Sequence, residues 1–246
     1  MSTNGAFIVS DVAGDSTPTF NTEETGYAGS NIYNGIPSEV WRTTGVSGVA
    51  TYAYDSVKTI TGIGLINHNF DSAATITLEF SDDSFSSVAA SETITWNSGN
   101  IYKVFEVKSY TGVRLTVVVS SGYVELGELV LGTNVELSPS YYYEYTRMFR
   151  ENRDGDIMTK GGQYFQSAIS EQEGYKLDFK LIPETQFSTL KSLFRAGGKV
   201  FIPNLNETTC YYGVVTDVQM DTTTRRYGSN GYMDYSLTFW ELPNEI

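Results

Sequence analysis

The 246-residue chain has one cysteine, Cys210, and one histidine, His68. A single thiol excludes an intrachain disulfide and a thiolate metal cluster. A single imidazole leaves a histidine-based zinc site short of its other nitrogen or sulfur ligands. Charge is also scarce, with Asp, Glu, Lys and Arg together at 18%, low for a cytosolic enzyme. No apolar run approaches the ~18 residues of a membrane span, so no membrane insertion is expected. The opening stretch MSTNGAFIVSDVAGDS has no basic segment leading into an apolar one, so no secretory signal is read there. Basic residues are outnumbered 16 to 29, for a net charge of −13. That field repels phosphate backbones and argues against a nucleic-acid partner. The expected product is soluble, folds in a reducing cytoplasm and is not secreted.

What the sequence holds in quantity is Tyr (18), Phe (13), Gly (23) and abundant Thr and Ser. Flat and β-branched side chains suit a pleated surface, so the chain is expected to be mainly β. The length favours two domains. The residues before Gly132 carry 5 basic against 14 acidic side chains and those after it 11 against 15, or −9 and −4. This asymmetry supports two units of different character.

Residues 1–30 are rich in Thr, Ser, Gly and Glu with little periodicity, and they read as an extended N-terminal arm. From 31 to 132, short strands alternate with turn signals. TGIGLINH (61–68) is a buried apolar strand, and ATITLEFS puts Ile76, Leu78 and Phe80 on one face. SETITW, IYKVFEV, GVRLTVVVSS and GYVELGELVLG continue the series, punctuated by SDDS, NSGN and SYTG. Turn signals about every ten residues indicate a β-sandwich. From 133 to 246 the pattern is a β-rich α+β domain. GYKLDFKLI, KVFIPNL, YYGVVTDVQM and YMDYSLTFWEL read as strands. One helix is expected at about 183–196, with Pro183 at its first position, an apolar stripe of Phe187, Leu190 and Phe194, and Gly197 and Gly198 as its stop.

The search for chemistry returns little. Any Ser-His-Asp triad would have to use His68, and no G-x-S-x-G elbow is present, since GVSGV places its second glycine one position early. A histidine ending a buried strand reads as a structural group capping loop carbonyls. No phosphate loop or dinucleotide fingerprint occurs. No catalytic residue, cofactor or metal ligand is assigned, and the chain is expected to be non-enzymatic. Calcium needs only oxygens, so a structural calcium ion stays open. NRDGDIMTKGGQ offers Asn152, Asp154 and Asp156, but its glycine falls at position four and Gln163 stands at position twelve, as in an Asp-Gly turn. SDDSF (81–85) reads as a hairpin turn. The tyrosines of YYYEY (141–145) and the pair Tyr211–Tyr212 could stack on sugar rings, or could face a core or a partner.

NIYNGIPSEVWRTTG (31–45), followed by ITGIGLINHNF and ATITLEFSDD, resembles the galactose-binding-like jelly roll, the discoidin or coagulation-factor C-type sandwich. The resemblance rests on Trp41, Arg42 and Thr43, then on Ile63, Gly64, Leu65, Ile66, Asn67, His68 and Asn69. It covers about 100 residues. The bracketing cysteines and hydrophobic spikes of the animal relatives are absent, so lipid or sugar binding is not carried over. The LINHN variant is similar to copies in tailed-bacteriophage virion proteins. The second unit, through FRENRDGDIMTKGGQYF, the segment from Tyr175 to Asn204 and the closing YSLTFWEL, resembles phage minor tail and baseplate proteins of the tail-tube or distal-tail type, which form rings.

These resemblances imply a non-enzymatic structural component of a tailed-phage virion, in the tail-tip or baseplate region and assembled in the host cytoplasm. Its partners would be other tail proteins and further copies of itself. The alternatives are a host-surface carbohydrate-binding module, which would contact a host glycan, or a capsid decoration protein. Candidate ligand or interface loops contain Asn34, Trp41, Arg42, Asn67, His68 and Asn69. Of these, Trp41 reads as core, because an early tryptophan in this fold packs between sheets.

Overall fold

The computed structural model describes residues 6–136, 143–153, 157–158, 164–165, 169–183, 188, 191, 200–203, 210–221 and 232–242. These residues are mainly antiparallel β. Two compact units divide the chain. The first comprises Met1–Ser138, Gly198–Tyr212 and Asn244–Ile246, and the second Pro139–Gly197 and Gly213–Pro243.

The first unit contains β1 (Ala6–Asp11), β2 (Thr19–Phe20), β3 (Trp41–Arg42), β4 (Ser47–His68), β5 (Thr75–Ser81), β6 (Ala90–Ile94), β7 (Ile101–Val118) and β8 (Glu125–Glu136). The sheet runs β1-β8-β4-β7-β5-β6, with β2 on β4 and β3 on β8. β4 and β7 are the long strands. Their ladder slips between Ala53 and Lys58 and again between Ile60 and Gly62. Extra residues at such bulges bend a strand and sharpen its twist. The first half of β4 therefore pairs with β7 on the β5 side, and its second half lies between β7 and β8. The folded-over sheet makes a jelly-roll sandwich around one core. Trp41, Leu65, Leu78, Phe80, Leu115 and Leu126 all belong to that core.

Several expectations are corrected here. The stretch 1–30 was expected to be a separate arm, but from residue 6 on it belongs to the sandwich. β1 pairs with β8 from Ala6 opposite Glu136 to Asp11 opposite Gly132, and Val12 and Ala13 are buried in the core. Little apolar material is needed for this, because ladder hydrogen bonds hold the segment. For the same reason 132 is not a boundary, since β8 runs on to Glu136. SYTG (109–112) is not a turn. β7 passes straight through it, with Ser109 opposite Thr59 and Gly112 opposite Ala53. Gly112 fits there because an added Cβ would come 3.0 Å from Ser81 O. Residues 198–212, expected in the second domain, fall in the first unit. Asn100 Nδ2 donates to Cys210 O (3.2 Å), Cys210 Sγ donates to Asn100 O (3.1 Å) and Tyr212 OH donates to Glu128 Oε1 (3.3 Å). These bonds satisfy polar groups that burial would otherwise penalise.

The remaining strands are β9 (Tyr143–Arg153), β10 (Ile157–Met158), β11 (Tyr164–Phe165), β12 (Ile169–Pro183), β13 (Val200–Pro203), β14 (Cys210–Asp221) and β15 (Tyr232–Glu241). In the second unit β14, β15, β12 and β9 pair antiparallel in that order. Of the helix expected at 183–196, only Pro183, Ser188 and Lys191 are described. Ser188 and Lys191 are helical, while Pro183 ends β12 opposite Tyr232 rather than opening a helix. Phe187, Leu190, Phe194, Gly197 and Gly198 lie outside the described residues.

Candidate binding site

Strand register gathers four connecting segments at one end of the sandwich. His68 lies opposite Leu126 near the start of β8, and Leu65 opposite Ile101 at the start of β7. Val118 at the end of β7 faces both Ser47 and Thr75, and Ile76 faces Ile94 at the end of β6. The segments 21–46, 69–74, 95–100 and 119–124 therefore share this end.

Short polar side chains tie the segments together. Asn69 Nδ2 donates to Tyr123 O (3.0 Å), and Asn69 Oδ1 accepts from Glu125 N (2.8 Å). Asn69 thus imitates one rung of a ladder beyond the end of β4. Asn67, at φ 50°, donates from Nδ2 to Pro37 O (2.7 Å) and receives Asn100 Oδ1 on its own N–H (3.0 Å). Asp71 Oδ2 accepts from both N and Oγ of Ser120, each at 2.8 Å, and these bonds hold its carboxyl below the usual range. Trp96 Nε1 donates to Phe70 O (2.7 Å). Loops pinned this way form a preorganised surface.

His68 is part of this scaffold. Its Nε2 lies 2.9 Å from Gly99 O and its Nδ1 accepts from Phe70 N at 3.2 Å, with the two rings stacked at 4.3 Å. The carbonyl requires a proton on Nε2 and the amide a lone pair on Nδ1, which fixes the neutral tautomer. Burial lowers its pKa further, against the Gly99 bond. Both nitrogens are engaged, so neither is presented to a substrate.

The exposed feature of this end is a stack. The Arg42 guanidinium carbon lies 3.8 Å from the Tyr27 ring centroid and 4.6 Å from that of Tyr123. Its edges meet carboxylates. Nε donates to Glu125 Oε1 (2.6 Å), the same oxygen also takes Nη2, and Nη1 is 3.5 Å from Glu24 Oε2. Arg42 stands directly opposite Glu125 where β3 meets β8, so the ladder itself brings the pair together. Cation–π attraction to both rings and ion pairs with both carboxylates hold the guanidinium in place. Tyr123 is 40% exposed.

The six sequence candidates separate into distinct roles. Arg42 is the centre of the stack. Asn69 holds the Tyr123 segment, and Asn67 and His68 brace neighbouring loops. Asn34 is exposed, donating to Glu39 Oε2 (2.7 Å) and accepting from Ile36 N (2.7 Å). Trp41 is fully buried, its Nε1 bonded to Thr22 O (3.0 Å) and its ring 5.0 Å from Phe20, so it offers no ligand surface. Tyr27 and Tyr123 were not singled out from the sequence. Each follows a glycine with left-handed backbone, Gly26 (φ 90°) and Gly122 (φ 79°). The Gly-Tyr pairs GYA and GYV were the available signal, two turns each presenting a ring.

The turn at 81–87 accounts for its own carboxylates. Asp83 Oδ1 accepts from Ser81 Oγ (2.6 Å) and Ser87 N (3.1 Å), and Asp83 Oδ2 from Ser87 Oγ (2.6 Å). Asp82 Oδ1 accepts from Thr111 N (2.9 Å). Asp154, Asp156 and Gln163 of the other acidic loop lie outside the described residues. Among the described residues no three His, Cys, Asp or Glu side chains gather as a metal site would require.

No family model and no curated protein matches the chain. Solved structures similar to it include chitosan-binding module 1 of a chitosanase/glucanase from Paenibacillus sp. IK-5, at 20% identity and TM-score 0.42 over 50% of this chain and 99% of that one. The lectin domain of lectinolysin, complexed with Lewis B antigen, is similar at 11% and 0.44 over 50% and 96%. A fucose-binding module of Streptococcus pneumoniae is similar at 12% and 0.43 over 50% and 94%.

Proposed function

We propose that the N-terminal sandwich is a non-catalytic binding module that takes a saccharide at the loop end, on the platform built by Tyr27, Arg42 and Tyr123. The observation that carries this reading is the guanidinium in contact with two phenol rings and with two carboxylates. A sugar ring has an apolar C–H face and a rim of hydroxyls. The exposed Tyr123 ring suits the face. A guanidinium has five N–H donors, and the three contacts to Glu24 and Glu125 leave donors for hydroxyls, which the carboxylates can accept in turn. The loops are already tied, so little conformational entropy is lost on binding. A glycan array probed with the full chain tests the proposal. Binding that Tyr123→Ala weakens at least tenfold, with the thermal transition unchanged, supports it. No binding to any immobilised saccharide defeats it.

A second reading, assembly into a tailed-phage particle, is favoured by one feature of the second unit. β9, eleven residues long, pairs only with β12 among the described residues and so ends the sheet. Phe149 on this strand is exposed. Long open edges recruit further strands, and a copy of the chain could supply one. Light scattering separates the alternatives, since a closed oligomer dissociated by Phe149→Lys favours assembly and a monomer at all concentrations opposes it.

A further inference from the structure

We infer that the loop-end platform accepts saccharides without acidic groups and rejects those carrying carboxylate or sulfate. This deepens the binding reading above and rests on it. Residues 6–136 hold five cationic side chains, Arg42, Lys58, Lys103, Lys108 and Arg114. Every one is already matched to a carboxylate. Lys58 pairs with Asp15 (2.7 Å), Lys103 and Lys108 both pair with Glu92 (2.8 and 3.3 Å), and Arg114 pairs with Glu79 (2.7 Å).

Arg42 is the one of the five in contact with Tyr27 and Tyr123. It is committed to two carboxylates and two rings. His68 adds no charge, since its Nδ1 lone pair is taken by Phe70 N and burial favours the neutral ring.

The platform is bordered by negative groups. Glu24 and Glu125 touch the guanidinium, and Asp71 is bonded to Ser120 in the segment that carries Tyr123. An incoming carboxylate would have to displace Glu24 or Glu125 from Arg42 to gain a partner, leaving the displaced carboxylate beside it. Like charges a few ångströms apart at a protein surface repel strongly enough to reverse a weak preference. A neutral ring meets no such conflict, because hydroxyls donate to the carboxylates and accept from the guanidinium.

The test is calorimetric titration of the full chain with a neutral oligosaccharide identified on the array and with its counterpart oxidised to the uronic acid. The neutral form is expected to bind at least tenfold more tightly at low salt. The ratio is expected to shrink at about 0.5 M NaCl, where charges are screened, and also in Glu24→Gln. Equal or tighter binding of the uronic acid overturns the inference while leaving the saccharide reading standing. A ratio unmoved by both salt and Glu24→Gln overturns the electrostatic cause. Binding of neither sugar overturns both readings together.

Discussion

Phe70 donates its backbone N–H to Nδ1 of His68 and lays its ring against the same imidazole, 4.3 Å between centroids. That contact keeps the ring neutral, and burial lowers its pKa below the ordinary 6.5. Between the lowered folded value and 6.5, the unfolded chain binds a proton that the fold does not. Stability from this group is therefore complete above 6.5 and declines as pH falls below it. His68→Gln is expected to cost about 1 kcal/mol at pH 7 through weakened hydrogen bonds. It should also flatten the loss of stability between pH 7 and pH 5. Urea unfolding of both proteins across that range is the check, and parallel curves would contradict the assignment.

Asp83 collects the hydroxyls of Ser81 and Ser87 and the Ser87 amide, which bring its carboxyl down to about 2. Its folded pKa lies below the unfolded one, so the stability it contributes is present above about 3.8 and is lost as pH falls towards 2. Ser81→Ala removes the bond that lowers this carboxyl most. The Asp83 titration midpoint, followed by carboxyl-carbon NMR, is expected to rise towards the ordinary value, and an unchanged midpoint would refute the bonding pattern.

Glu241 behaves in the opposite sense. Burial first, and then the charge of Glu173, push its carboxyl up to about 7, against the pull of Arg147. The fold holds a proton that the unfolded chain releases between 4.5 and 7, so stability falls as pH rises through that window. Glu241→Gln removes the charge at little change of shape. The variant is expected to be more stable than the parent above pH 7, by about 1–2 kcal/mol once partial exposure is allowed for. Denaturation at pH 8 and pH 5 should show the gain only at the higher pH.

Part of this architecture was legible in the sequence. The alternation of Ile76, Leu78 and Phe80 predicts one buried face, and all three are buried. The apolar run from Ile63 to Ile66 predicts a buried strand and forms one, lying between β7 and β8. The course of β7 through SYTG was not legible, because these turn-type residues stay in the ladder opposite a bulge in β4. The early segment was missed because its pairing relies on backbone groups that no hydrophobic pattern reports. At the loop end, Arg42 was readable as a candidate but its flanking rings were not. Tyr27 and Tyr123 come from loops on either side of it in the chain, joined only when β3 pairs with β8.

Asn67 and Gly127 meet at Pro37, and both positions are constrained. A Cβ on Gly127 would overlap Pro37 O and approach Asn67 Cβ at 3.0 Å. Gly127→Ala is expected to cost about 1–3 kcal/mol as overpacking. Asn67 adds left-handed backbone to its hydrogen bond with Pro37 O. Asn67→Gly loses only the bond, whereas Asn67→Ala loses the bond and strains the backbone. Thermal unfolding should therefore rank wild type, then Asn67→Gly, then Asn67→Ala, and a reversed order of the two variants would contradict the φ-based argument.

Arg42→Lys separates charge from shape at the platform. Lysine keeps the positive charge but loses the plane that contacts both Tyr27 and Tyr123 and the fork that meets Glu24 and Glu125 together. A single ammonium can satisfy one carboxylate and face one ring. The expected loss is about 1–2 kcal/mol of stability, from cation–π contact and charge-assisted hydrogen bonding. The Tyr123 ring resonances in NMR should shift as the packing partner is lost, and saccharide affinity should fall with it. If Arg42→Lys left both stability and binding intact, charge alone would account for the residue. The stacked geometry, and the binding site built on it, would then have to be abandoned.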